Sequence, residues 1–174
     1  MKTDTFDNEL IGDSIPMLGV IEATVYRADG SVEKKFLKNV VTRAGLNRIA
    51  NRAVLATTTS VVYVIGVGTQ TAAHSLDSAQ GGVGEMLRKT SNFVNGAAQS
   101  REWIFLQCTI GGASDAMTGI VLDSVFMTDF PTSSNASGII AGVTNGLGVT
   151  LAGSDLLDLT YRFRVGSHNL SHST

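Results

Sequence analysis

Leu157-Asp158-Leu159-Thr160-Tyr161-Arg162-Phe163-Arg164-Val165 alternates apolar and polar side chains without a fault. An extended chain sends successive side chains to opposite faces, so this run predicts a β-strand with one core face and one wet face. No other stretch carries so strong a two-residue period. The next clearest, Arg101 to Ile110, places Ile104, Leu106, Cys108 and Ile110 on one face and Trp103 and Phe105 on the other. Bulky apolar groups on both faces mark that strand as central or covered.

The same period recurs towards the N-terminus. Ile21, Ala23 and Val25 alternate with Glu22, Thr24 and Tyr26 in a strand over Leu18 to Ala28, and Asp29-Gly30 is a two-residue turn signal that returns the chain over Ser31 to Lys38. Lys34, Lys35 and Lys38 on that return read as a solvated edge strand protected from pairing, in preference to a binding patch. Further strands are expected over Met86 to Val94 and Thr118 to Thr128. Gly138 to Val143 and Leu147 to Leu151 are expected to form a glycine-rich hairpin about Asn145-Gly146.

These strands are arranged about Asn39 to Ala72, which holds the one clear helix signal. Leu46, Ile49, Ala50, Ala53 and Val54 recur at helical spacing, with Asn47, Arg48, Asn51 and Arg52 opposite them. Thr42 suits the N-cap, and Thr57-Thr58-Thr59-Ser60 stops the helix. Val61 to Ile65 follows as a strand buried on both faces, closed by Gly66-Val67-Gly68-Thr69. Thr69 to Glu85 then reads as a loop too long for a hairpin in a tight domain, and long ordered loops are usually functional or interface-forming.

The 174 residues and 43% hydrophobic content suffice for one compact domain. A net charge of −2 with 16% charged residues lacks the basic excess that nucleic-acid binding normally requires. No apolar run approaches a membrane span, and MKTDTFDNEL lacks the apolar region of a secretory signal. Abundant Gly, Ser, Thr and Asn beside few charges suit a surface packed against neighbours, since paired hydroxyls and amides cost less to bury than charges. Met1 to Ile15 is polar and acidic with spaced anchors Phe6, Leu10, Ile11 and Ile15. It reads as an arm, either a loose terminus, the plainer reading, or a segment that orders by draping on another subunit.

Few groups suggest chemistry. Gly66-Val67-Gly68 opens like a dinucleotide fingerprint, but Thr71 stands where the third glycine belongs, and no phosphate loop or Gly-x-Ser-x-Gly elbow is present. Cys108 lies in an apolar strand, as a buried inert thiol would. His74 has no second ligand at metal spacing, His168 and His172 make a weak pair in a polar tail, and Asp155 and Asp158 suit turn and edge roles. No cofactor, metal or catalytic residue is expected. Against this stand two minor readings, a carbohydrate-binding module, which needs exposed aromatics, and a hydrolase using Asp123, Asp155 or Asp158 in a cleft.

One resemblance ties the features together. A short hairpin, then Asn39-Val40-Val41-Thr42-x-Ala44-Gly45-Leu46 opening a helix, then an apolar strand ending Gly66-Val67-Gly68-Thr69, then Arg88-Lys89 and further strands, resembles small virion structural proteins of tailed bacteriophages. Val67 stands where those proteins usually carry threonine, and Asp123-Ser124-Val125-Phe126 lacks a glycine usual there. The resemblance spans residues 18 to 165. It implies a non-enzymatic, β-rich, homo-oligomeric subunit, trimers being common, located in the virion and assembled in the host cytoplasm. The major capsid protein is the implied partner of a decoration or cement protein, and tail or neck proteins are the partners in the alternative.

The expected architecture is therefore mainly β: a two-sheet, jelly-roll-like β-sandwich with one amphipathic helix and an extended N-terminal arm. Residues 1–17 form the arm, 18–166 the domain and 167–174 a polar tail. The expected interaction residues are Phe6, Leu10 and Ile11 in the arm and His74 and Leu76 in the long loop.

Overall fold

The computed structural model describes residues 17–43, 64–71, 84–93, 103–128, 139–141 and 146–165. They are mainly β. The strands are Met17–Tyr26 (β1), Val32–Lys38 (β2), Val64–Gly68 (β3), Glu85–Thr90 (β4), Asn92–Phe93 (β5), Trp103–Gly111 (β6), Val121–Leu122 (β7), Ser124–Thr128 (β8), Ile139–Ala141 (β9), Val149–Thr150 (β10) and Leu156–Val165 (β11). A five-stranded sheet has the order β2-β1-β11-β6-β5, a four-stranded sheet the order β4-β3-β8-β9, and β10 pairs with β7. All of these pairings are antiparallel.

The alternation in β11 has its expected consequence. Leu157, Leu159 and Tyr161 are fully buried, and β11 lies between β1 and β6 at the centre of its sheet. One continuous core joins the two larger sheets: Ile21, Ala23, Val25, Leu106, Ile110, Leu157 and Leu159 of the first meet Ile65, Val67, Val125 and Met127 of the second. Burying each large side chain contributes roughly 1.5–3 kcal/mol before the entropy of ordering it is subtracted.

β3 is buried along its whole length, as its apolar run predicts. Gly66 does not close it, however, because it lies within the strand, which ends at Gly68. Gly66 pairs with Phe126, and a Cβ at that position would stand 2.1 Å from Phe126 Cζ. The missing side chain is what lets the Phe126 ring cross the strand. The Arg88 guanidinium lies 5.6 Å from the centroid of the same ring, and its Nη2 donates to Glu85 Oε2 at 2.7 Å. A cation over an aromatic face, with its charge balanced by a carboxylate, tolerates this degree of burial.

Turn chemistry departs from the sequence reading in two places. The β1–β2 connection is not a two-residue turn: Gly30 N donates to Arg27 O at 3.0 Å, Arg27 N donates to Ser31 O at 2.9 Å, and Gly30 has φ +84°. This is a three-residue loop in which glycine takes the left-handed position, with Ser31 N donating to Asp29 Oδ1 at 2.8 Å. The chain between β3 and β4 does close a hairpin, a long one, because the two strands pair and Thr69 N donates to Gly84 O at 3.0 Å. Length alone excludes nothing here, since closing a longer loop costs little extra entropy.

Two strand assignments also change. The run expected as one strand over Met86 to Val94 breaks at the buried Ser91, so that β4 joins β3 in one sheet and β5 joins β6 in the other. β9 and β10 do not pair with each other; β9 pairs with β8 and β10 with β7. Asp123 separates β7 from β8, and its carboxylate accepts from Gly146 N at 3.2 Å and Gly148 N at 3.0 Å. The Gly146 and Gly148 amides therefore answer to a side chain at the junction of β7 and β8. The expected amphipathic helix, the arm with Phe6, Leu10 and Ile11, the loop residues His74 and Leu76, and the tail 167–174 lie outside the described residues.

Candidate interaction face

The groups singled out for chemistry have structural work. Asp155 is buried, and its carboxylate accepts from Arg27 Nη1 at 2.8 Å, Ala152 N at 2.9 Å and Ala28 N at 3.1 Å. The Ala152 amide and the Arg27 guanidinium hold this carboxyl below its usual pKa, and the same bond raises that of Arg27. A carboxylate held ionised in this way joins the β1–β2 loop to the loop before β11. Cys108 is buried in β6, which pushes its thiol up to about 12 and leaves it protonated. Burial alone would raise Asp115, but Lys89 at 2.8 Å and the Gly111 amide at 2.7 Å together hold it below its usual value. Among the described residues no three His, Cys, Asp or Glu side chains stand together as metal ligands, and no helix is long and apolar enough to cross a membrane.

A different kind of site forms on the outer face of the five-stranded sheet. Residues that alternate with the core positions share this face, and the register sets them in rows across the strands. Val32, Tyr26 and Leu156 are neighbours in one row, on β2, β1 and β11. They are 53%, 44% and 45% exposed. Phe36, four residues along β2 from Val32 and about 13 Å away at strand rise, is 65% exposed. Single exposed apolar side chains are unremarkable, but three in one row of a sheet whose other face is already in the core form a patch, with Phe36 a second apolar point beyond the Lys34, Thr24 and Asp158 row.

Charge surrounds these side chains in a defined order. Glu22 lies between two cations: Arg162 Nη2 donates to its Oε2, and Lys34 Nζ is 3.7 Å from its Oε1. Asp158 accepts from Thr109 Oγ1. Lys34 and Lys38 are exposed on the outer face of β2, one on each side of Phe36. Lys35 alternates to the other side, where its Nζ donates to Leu147 O at 2.8 Å. β2 is an edge strand carrying lysines, as expected, but two of them frame an exposed aromatic. A strand read alone shows Phe36 only as one residue of an alternation. Its neighbours appear once the pairing of β2, β1 and β11 is known.

No family model matches the chain, and no curated protein or solved structure matches it.

Proposed function

We propose that this chain is a non-enzymatic structural protein of a tailed-bacteriophage virion, a capsid decoration or cement subunit that stabilises the shell through oligomeric and arm-mediated contacts. Its two larger sheets would then be the layers of a jelly-roll-like sandwich, with the amphipathic helix that carries Leu46, Ile49, Ala50, Ala53 and Val54 capping one end or flanking a sheet. The observation that carries the reading is the outer face of the five-stranded sheet, where Tyr26, Val32, Phe36 and Leu156 remain exposed although the opposite face is already packed. Its logic is multivalency, in which modest contacts repeated around an oligomer act at high effective concentration. Phe6, Leu10 and Ile11 of the arm and His74 and Leu76 of the long loop are the remaining contact residues of this reading. Asp155 and Asp123 support it by fastening loops through backbone amides.

Adding the purified chain back to particles prepared without it tests the proposal. The wild-type chain is expected to rebind. Phe36→Asp, at an exposed position, is expected to rebind roughly tenfold or more weakly while its melting temperature stays within about 2 °C of wild type. Rebinding of Phe36→Asp at wild-type strength would remove the outer face from the contact.

A further inference from the structure

The outer face has a pattern along β2 that a segment of this same chain mirrors. Its successive outward residues are Lys38, Phe36, Lys34 and Val32, the last beside Tyr26 and Leu156. In extended chain, Asp4, Phe6, Asn8 and Leu10 share one side at the same two-residue spacing. Laid antiparallel to β2, they set Asp4 against Lys38, Phe6 against Phe36, Asn8 against Lys34, and Leu10 against the Val32, Tyr26 and Leu156 row. The reversed alignment sets Asp4 at the apolar row and Leu10 at Lys38. Residues 1–16 also carry Asp4, Asp7, Glu9 and Asp13 against the single Lys2, an acidic balance suited to a lysine-framed face.

Reach decides which copy supplies the segment. Lys38 pairs with Val20 near the start of β1, whereas Val32 pairs with Tyr26 at its end. Tyr26 therefore lies about 30 Å from Met17 along the strand. The chain from Leu10 to Met17 spans at most about 25 Å even when fully extended. Ile15-Pro16 also disfavours the helical turn that a tight reversal would use. We propose that the arm of a second copy of this chain lies across the outer face of β2, β1 and β11, with Asp4 at Lys38, Phe6 at Phe36 and Leu10 at the Tyr26 row. This deepens the reading of the face as an interaction surface and does not depend on the virion role.

Variants of the whole 174-residue chain with one added cysteine each provide the test, because the native Cys108 is buried. Asn8→Cys and a mass-tagged Lys34→Cys chain are mixed under mild oxidation and resolved on a non-reducing gel. The expected result is a mixed-mass disulfide dimer, roughly tenfold or more above the yield of Asn8→Cys mixed with Val121→Cys, an exposed position off this face. An Asn8→Cys/Lys34→Cys double variant that closes only an internal disulfide would overturn the second-copy assignment. A yield no higher than the Val121→Cys control would overturn the docking itself. A charge swap adds an independent readout: Lys38→Glu should shift the same chain towards monomer in sedimentation, and adding Asp4→Lys should restore assembly. Failure of the second change to rescue the first would contradict the register.

Discussion

Leu159→Asp is expected to leave no folded protein. Leu159 is wholly buried at the centre of β11, paired with Ala23 on one side and Cys108 on the other, in the core shared by the two larger sheets. A carboxylate there would stand among Ala23, Cys108 and the apolar cluster, and it cannot turn to the wet face without slipping the register of the whole strand. The cost is about 5 kcal/mol or more, comparable to the entire stability of many domains. The neighbouring change Thr160→Asn, on the outer face, is expected to stay within about 0.5 kcal/mol. Urea unfolding of the two variants checks the contrast. A cooperative, near-native transition for Leu159→Asp would mean that β11 does not face the core as described.

Asp155→Ala is the second large effect. The substitution removes the acceptor for Arg27 and for two backbone amides, leaving Ala28 N and Ala152 N without that bond and Arg27 beside an empty position. Arg27 keeps Glu33 and the Thr150 carbonyl, so the cost is the loss of three hydrogen bonds to one buried carboxylate, the charged ones being the stronger. The melting temperature is expected to fall on the order of 10 °C. The pH dependence has a definite sign. The folded carboxyl titrates below its usual value, held there by the Ala152 amide and Arg27. Its stabilisation is therefore fully present above roughly pH 4 and is lost as the pH falls through the lower folded value. In thermal melts the variant should be destabilised at neutral pH, and its gap to wild type should narrow towards pH 3. A gap that stays constant with pH would show that the carboxylate charge is not what joins these loops.

How much of this was legible depended on whether one strand's own sequence carried the information. β11, β6 and the β1–β2 pair announce themselves because alternation is a property of single strands: Leu157, Leu159 and Tyr161 point inward where the period says they must. Gly66 misled because glycine usually ends a strand, and only the Phe126 ring on the adjacent strand explains its position. Asn145-Gly146 suggested a local hairpin, whereas β10 pairs with β7 and the Gly146 and Gly148 amides donate to the Asp123 carboxylate at the junction of β7 and β8. Ser91 gave no signal of the passage between sheets, since a small polar residue at a corner resembles one in a strand. The outer face is illegible for the same reason. Tyr26, Val32 and Leu156 are distant in sequence and become neighbours only through pairing across three strands. The matching pattern in Asp4 to Leu10 can be read only after the face has been assembled.

The measurement that tests the account most directly is the copy number of this chain in purified phage particles, by quantitative mass spectrometry against the major shell protein. A decoration protein is expected at a ratio near that of the shell, or at a simple fraction of it such as about one third. About a dozen copies or fewer would contradict the decoration assignment and place the chain in the tail or neck, and absence from the particle would contradict the virion role itself.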